Sequence, residues 1–140
     1  MHHKISIIGM GYVGCGNALL FSKDNQVSIV DIDLKKVEDF NSGKLPIFES
    51  KAQNYFEEET LDISATTDFK KSIEESSYVI FALPTNFDEK IMKFDTRILD
   101  DAIANALQIN KKATLIIKST VDIGHTEYLR KKHHSQRIIF

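Results

Sequence analysis

Short apolar runs alternate with amphipathic stretches along this chain. Six runs rich in Val and Ile have the length of strands, and we predict strands at 4–8, 26–30, 61–65, 78–83, 114–118 and 137–140. Three stretches between them have helical spacing, which predicts helices at 13–21, 34–40 and 98–107. A strand pattern that is repeatedly followed by a helix pattern is typical of βαβ units around a parallel sheet.

This alternation predicts an α/β fold of the Rossmann-like, doubly wound type, with a six-stranded, mostly parallel sheet and helices on both faces. Ligands of such sheets bind at the carboxyl ends of the strands. Turn residues after position 40 end the second helix, and Pro84 ends the fourth strand. The third helix carries an apolar stripe for packing on the sheet, formed by Ile98, Leu99, Ala102, Ile103, Ala106 and Leu107.

Composition narrows the class of protein and of partner. The 140 residues have the length of one domain, and 42% hydrophobic with 27% charged residues excludes a largely disordered chain. With 18 Lys and Arg against 20 Asp and Glu, the net charge is -2, which argues against nucleic acid or an anionic membrane as partner and favours a small molecule. The basic run at 130–134 is interpreted as the solvated end of a helix.

Cysteine usage and hydropathy bear on the compartment. Cys15 is the single cysteine, so an intramolecular disulfide and a cysteine metal cluster are excluded. The sequence has no apolar run of about 20 residues and no signal peptide pattern at its start. We therefore expect a cytoplasmic protein without a membrane segment and without a bound metal.

A glycine motif follows the first predicted strand and precedes the first helix. Gly9-Met10-Gly11-Tyr12-Val13-Gly14 matches G-x-G-x-x-G. Its first glycine allows a tight turn, the second the approach of a pyrophosphate to the backbone, and the third close packing of helix on strand. The amino terminus of the helix supplies N–H groups and the positive end of its dipole to the same anion.

An acidic residue at the end of the second strand makes the motif more specific. Asp31 lies 20 residues after Gly11, where a carboxylate accepts hydrogen bonds from the ribose hydroxyls of a dinucleotide. The same charge would repel a 2′-phosphate, which favours NAD over NADP. We predict that Asp33, two residues on, caps the following helix; a share in the ribose contact is the alternative. Lys36 either reaches the same ribose or is an ordinary exposed helix lysine, and the sequence leaves both open.

Four ordered motifs resemble the UDP-glucose/GDP-mannose dehydrogenase family. The run I-I-G-M-G-Y-V-G at 7–14, with V-D-I at 30–32, matches the first loop and ribose strand of that family. Segments S-G-K-L-P-I at 42–47, P-T-N at 84–86 and K-S-T-V at 118–121 match three later motifs. The resemblance covers nearly the whole chain. It implies NAD contacts from Gly9, Gly11, Tyr12, Val13, Gly14, Asp31, Lys36, Pro84, Thr85, Ser119 and Thr120.

Two positions depart from the family pattern. Asp122 stands where the family usually has proline in K-S-T-x-P-x-G, which is expected to loosen the loop that positions Thr120. Cys15 stands where a larger aliphatic residue is common. We expect Cys15 to be an inert, packed thiol; activation by the nearby helix amino terminus is the alternative.

Within the family, segments 84–87, 94–96 and 137–140 look most like the short bacterial UDP-glucose 6-dehydrogenases. That resemblance implies a homodimeric parent enzyme that oxidises UDP-glucose to UDP-glucuronate with two NAD. Family members that act on UDP-N-acetylmannosamine or GDP-mannose are the alternative, because most residues that select the sugar lie outside this chain.

The resemblance also implies that residues 1–140 are the NAD-binding domain of a truncated chain. The family's cysteine nucleophile and its lysine and asparagine neighbours would follow residue 140, as would the central helix and the UDP-sugar domain. The apolar residues up to Phe140 also suggest truncation. We therefore expect no catalytic residue in this chain, which would bind NAD without turnover.

Two other classes share the first loop. A nucleotide-sensing regulatory Rossmann module would explain the short length without truncation, and another two-domain dehydrogenase, such as a 3-hydroxy acid type, would share the glycine motif. Neither explains the segments at 84–86 and 118–120.

Overall fold

The computed structural model describes residues 2–140, which form eight strands and six helices. In chain order the elements are β1 (Lys4–Ile8), α1 (Tyr12–Phe21), β2 (Gln26–Val30), α2 (Leu34–Asn41), α3 (Ser50–Glu58), β3 (Ile63–Thr66), α4 (Phe69–Ile73), β4 (Tyr78–Phe81), β5 (Phe87–Asp88), β6 (Lys93–Phe94), α5 (Arg97–Ile109), β7 (Thr114–Ile117), α6 (His125–His133) and β8 (Ile138–Ile139).

Six strands form one parallel sheet in the order β3-β2-β1-β4-β7-β8. The central strand β1 pairs on one side with β2 and on the other with β4, so that Ile7 lies opposite both Ile29 and Ile80. The chain builds the sheet outward from β1 to β3, then crosses back and continues from β4 to β8. The order therefore reverses between β1 and β4, which is the position where doubly wound sheets bind ligands. The predicted fold class is confirmed.

Helices cover both faces of the sheet because successive strand side chains point to opposite faces. Ile5 and Ile7 of β1 pack into a core with α1 and α2, whereas Ile8 packs into a second core with α5 and α6. Burying one aliphatic side chain of this size stabilises the fold by about 1.5–3 kcal/mol. The two cores fix α1 against one face and α5 and α6 against the other, all starting near the carboxyl edge.

Several predicted boundaries were wrong by a few residues. The fourth strand was predicted to reach residue 83 but ends at Phe81. The third strand begins two residues later than predicted, and β8 contains only residues 138 and 139. The three helices that the periodicity indicated are present as α1, α2 and α5, and the basic run at 130–134 lies at the end of α6 as expected.

The stripe predicted for α5 was wrong at one position. Leu99, Ile103 and Ala106 are fully buried against the sheet, but Ile98 is 62% exposed. Ile98 lies at the margin of the stripe, one residue before the buried Leu99, and the helix turns it away from the strands. Among the helices of residues 2–140, none combines the length and the apolarity that a membrane crossing requires.

Candidate nucleotide-binding site

The predicted site residues gather at the carboxyl edge of the sheet, where the strand order reverses. The loop after β1 is fixed from both neighbouring strands. Gly9 donates its N–H to the carbonyl of Val30 at the end of β2, over 2.8 Å. On the other side, the N–H of Ala82, just after β4, is donated to the carbonyl of Ile8 over 2.8 Å. These bonds place the glycine loop over the switch point of the sheet.

Two glycines of the loop are required by packing. Gly9 has φ +107°, and a Cβ there would lie 2.4 Å from the carbonyl oxygen of Ala82. A Cβ on Gly14 would lie 1.8 Å from the carbonyl oxygen of Gly9. Both distances are far inside van der Waals contact, so a larger residue at either position would displace backbone. The predicted roles in the tight turn and in close helix packing fit this geometry.

Gly11 differs from the other two glycines. Its φ is −88°, which any residue can adopt, and a Cβ built on it meets no atom of the described chain within 4 Å. Packing within residues 2–140 therefore does not require glycine here. The free space beside its backbone is where the sequence predicts the pyrophosphate to approach.

The amino terminus of α1 faces this free space. Gly11 is its N-cap and has no side chain to cap the first turn, and the first turn contains no acidic residue. The first N–H groups of an α-helix lack acceptors within the helix and carry the positive end of the dipole. Tyr12 and Val13 in this turn are exposed. The arrangement suits an anion with several oxygen acceptors.

Asp31 is held beside the glycine loop by backbone donors. Its Oδ2 accepts a hydrogen bond from the N–H of Met10 over 3.0 Å, and its Oδ1 accepts one from the N–H of Asp33, also over 3.0 Å. The side chain is only 13% exposed. A carboxylate has about four lone-pair sites, so both oxygens can still accept hydrogen bonds from hydroxyl groups. The sequence did not predict the Met10 contact, which joins the two halves of the motif.

The sequence also singled out Asp33 and Lys36, which follow Asp31, and the structure gives them different positions. Asp33 is the N-cap of α2 and accepts hydrogen bonds from the N–H groups of Lys35 and Lys36 over 3.0 and 3.3 Å, which confirms its predicted capping role. The ammonium of Lys36 lies 3.7 Å from Oδ2 of Asp31. Lys36 is therefore directed toward the candidate site, although its role toward a ribose stays a prediction.

A second pair of loops lies across the switch point from Asp31. Thr85, after β4, donates its hydroxyl to the carbonyl of Thr120, after β7, over 2.5 Å. Ser119 is buried, and its hydroxyl oxygen accepts the N–H of Leu83 over 2.9 Å. These bonds bring the P-T-N and K-S-T segments together, with Pro84 and Thr120 exposed at the surface of the site. Ser119 joins the two loops, and Thr85 is half-buried beside the exposed Thr120.

Sequence reasoning missed one pair of side chains near these loops. Nε2 of His125, the first residue of α6, lies 2.7 Å from Oδ1 of Asp100 in the first turn of α5. The two residues are 25 positions apart and neither belongs to a motif. No local pattern signals such a contact. Within residues 2–140, no group of three or more His, Cys, Asp and Glu side chains is arranged to hold a metal ion.

Cys15 is completely buried in the core beneath α1. Burial raises the pKa of its thiol from 9.0 to about 11, against a smaller lowering by Lys36. Because the folded chain favours the protonated thiol, the stability that this group contributes is complete below about pH 9 and is lost as the pH rises through about 11. The thiol has the features of an inert packing residue.

We expect alkylation of Cys15 by iodoacetamide at pH 8 to be at least about 100-fold slower in the native chain than in the chain unfolded by urea, because the thiolate is both rare and inaccessible. Mass spectrometry of timed samples measures both rates. Similar rates in the two states would contradict the role of an inert, packed thiol.

Comparison with known proteins assigns this arrangement to a family. The model for the UDP-glucose/GDP-mannose dehydrogenase family, NAD binding domain, matches residues 3–138. The chain belongs to this family. The resemblance predicted from the four motifs is confirmed, and the matched region is the NAD-binding domain of the UDP-glucose/GDP-mannose dehydrogenases.

Individual relatives agree with the family assignment. The chain is 37% identical over 139 residues to UDP-glucose 6-dehydrogenase of Campylobacter jejuni and 36% identical over 137 residues to that of Streptococcus pneumoniae. It superposes with a TM-score of 0.80 and 25% identity on GDP-mannose dehydrogenase from Pseudomonas aeruginosa, solved as a ternary complex, over 97% of this chain and 35% of the other. The two sequence matches cover 98% of this chain, which spans about 35% of the length of either relative.

Proposed function

We propose that this chain is the NAD-binding domain of a UDP-glucose 6-dehydrogenase. The observation that carries the proposal is the position of Asp31. Its carboxylate is bound by the N–H of Met10 over 3.0 Å and lies directly beside the glycine loop and the uncapped amino terminus of α1. A carboxylate and a free helix amino terminus at the switch point of a parallel sheet are complementary to the ribose and the pyrophosphate of a dinucleotide.

The candidate residues would bind the two halves of the cofactor on opposite sides of the switch point. The N–H groups of the first turn of α1 would bind the pyrophosphate, and the open space at Gly11 lets its oxygens approach the backbone. Asp31 would accept hydrogen bonds from the hydroxyls of the adenosine ribose, and Lys36 lies beside it. Thr85 and Thr120 would lie along the nicotinamide half, and Tyr12, Val13, Pro84 and Ser119 would line or support the same cleft. NAD, when bound, supplies the acceptor for a hydride.

The electrostatics favour NAD over NADP. The carboxylate of Asp31 would lie against a 2′-phosphate, and the ammonium of Lys36 is already 3.7 Å from Oδ2 of Asp31. We expect calorimetric titration of the purified chain to give an affinity for NAD at least about 10-fold higher than for NADP, since juxtaposed like charges disfavour binding by a few kcal/mol. Equal affinities, or ATP bound as tightly as NAD, would contradict the proposal and support a nucleotide-sensing module.

The choice of UDP-glucose is supported by the two relatives that are 37% and 36% identical over almost the whole chain. UDP-N-acetylmannosamine and GDP-mannose are the alternative substrates in this family. The parent enzyme would oxidise the primary alcohol to a carboxylate in two hydride transfers, as a homodimer, with its cysteine nucleophile in the part of the relatives that this chain does not span. The chain alone would then bind NAD without turnover. Formation of NADH, measured by its absorbance after UDP-glucose and NAD are added together to the isolated chain, would contradict this.

A further inference from the structure

The loop between β7 and α6, residues 118–124, contains Thr120 and ends in an unusual backbone conformation. Gly124 has φ +89°, and the N–H of His125 is donated to the carbonyl of Asp122 over 3.1 Å, so that the chain turns sharply into α6. Position 122 is Asp, and the loop contains no proline that would fix one of its φ angles. The conformation of the loop therefore depends on contacts made at its two ends.

The first end of the loop is bound to the segment after β4. The hydroxyl oxygen of Ser119 accepts a hydrogen bond from the N–H of Leu83 over 2.9 Å. The carbonyl of Thr120 accepts one from the hydroxyl of Thr85 over 2.5 Å. These bonds hold the loop next to β4 but leave residues 121–124 without a side-chain hydrogen bond to that strand in the described chain. The second end needs its own attachment.

His125 supplies that attachment. Its Nε2 lies 2.7 Å from Oδ1 of Asp100, and the two side chains are only 13% and 17% exposed. The other carboxylate oxygen of Asp100 lies 3.4 Å from the hydroxyl of Thr96, at the N-cap of α5. A short bond to a carboxylate that is shielded from water is stronger than an exposed ion pair. It joins the first turns of α5 and α6, the helices that follow the two loops of the nicotinamide side.

We propose that Asp100 and His125 are positioning residues, which hold the 118–124 loop so that Thr120 faces the nicotinamide half of the cofactor. Neither side chain is expected to touch NAD. Asp100 fixes the imidazole, the imidazole fixes the start of α6, and the start of α6 fixes the turn at Gly124. This inference rests on the proposed binding of NAD with its nicotinamide half beside Thr85 and Thr120.

The test compares two ligands that share adenosine, the pyrophosphate and the second ribose and differ only in the nicotinamide ring. NADH carries this ring and ADP-ribose does not, so the loss of contacts that the 118–124 loop makes to the ring affects NADH alone. We expect Asp100→Ala and His125→Ala to weaken NADH binding by about 3- to 10-fold, the range for coupling through a neighbouring element, and to leave ADP-ribose binding within about 2-fold. Fluorescence of the reduced nicotinamide ring and calorimetry measure the two affinities.

Conservative variants serve as controls for the hydrogen bond. Asp100→Asn keeps an oxygen acceptor and His125→Gln keeps an N–H donor, so each is expected to bind NADH within about 2-fold of wild type. Asp101→Ala removes an equal charge from the neighbouring, exposed position of α5 and is also expected to leave both affinities unchanged. Urea unfolding of every variant identifies those that do not fold, and either alanine variant suffices for the comparison.

Three outcomes would overturn the inference. If the alanine variants bind NADH as tightly as wild type, the pair does not position the loop. If they lose NADH and ADP-ribose equally, the pair acts on the stability of the whole domain. If wild type binds neither ligand, the proposed function itself fails and this inference fails with it.

Discussion

Replacing Gly14 by alanine is expected to lower the free energy of unfolding by about 3 kcal/mol or more, the upper range for overpacking a close-packed site. The new Cβ would lie 1.8 Å from the carbonyl oxygen of Gly9 and 2.9 Å from its carbonyl carbon. These are backbone atoms of the strand-to-helix turn, so no side chain can rotate to relieve the clash. Either α1 moves away from the sheet or the loop at Gly9 opens. Urea unfolding followed by circular dichroism measures the loss.

Gly16 in the same helix is the matched control for this prediction. A Cβ at Gly16 meets no atom of the described chain within 4 Å, and the residue is exposed. Because glycine in a helix interior is about 0.5–1 kcal/mol less favourable than alanine, Gly16→Ala is expected to stabilise the domain slightly. Two glycine-to-alanine changes separated by two positions thus have opposite signs. Equal effects of the two variants would contradict the close packing of α1 on the glycine loop.

Replacing Asp31 by alanine is expected to weaken NAD binding by about 10- to 100-fold, because a hydrogen bond to a charged group contributes roughly 1.5–3 kcal/mol. The variant removes the proposed acceptor of the ribose hydroxyls. It also releases the N–H of Met10, which Oδ2 binds over 3.0 Å and which lies inside the glycine loop. Calorimetric titration with NAD measures the change. Both effects act on the same half of the site, so the loss should be equally large for ADP-ribose.

Asp33 provides a control two residues away with the same side chain. Its side chain caps α2 by accepting hydrogen bonds from the N–H groups of Lys35 and Lys36. Asp33→Ala is expected to lower the free energy of unfolding by about 1 kcal/mol while NAD affinity stays within about 2-fold. Retention of full NAD affinity by Asp31→Ala, or a comparable loss in Asp33→Ala, would contradict the assignment of the ribose carboxylate.

Features that depend on near neighbours in the sequence could be predicted. The glycine loop, Asp31 and the cap at Asp33 lie at the ends of adjacent elements, so the order of strand, turn and helix already determines where they meet. The carboxyl edge of a parallel sheet then brings Thr85 and Thr120 to the same cleft. The alternation of strands and helices was also sufficient to predict the six-stranded parallel sheet.

Features with weak or distant signals could not be predicted. Helix α3 has no buried residue, α4 has five residues, and the strands of the β5-β6 hairpin have two each, so none produces a clear periodic pattern. The direction of Lys36 depends on how α2 is rotated against β2, which composition does not encode. The Asp100–His125 contact arises only when α5 and α6 pack on the same face.

The measurement that tests the central claim most directly is a titration of the ¹⁵N-labelled chain with NAD, followed by NMR of its assigned backbone amides. NAD binding at the proposed site predicts saturable shifts at Gly11, Val13 and Asp31, with a second set at Thr120. It predicts unchanged signals at Ser77 and Lys112, which precede β4 and β7 at the opposite edge of the sheet. Saturable shifts confined to that opposite edge, or none at millimolar NAD, would contradict the assignment of this domain as an NAD-binding site.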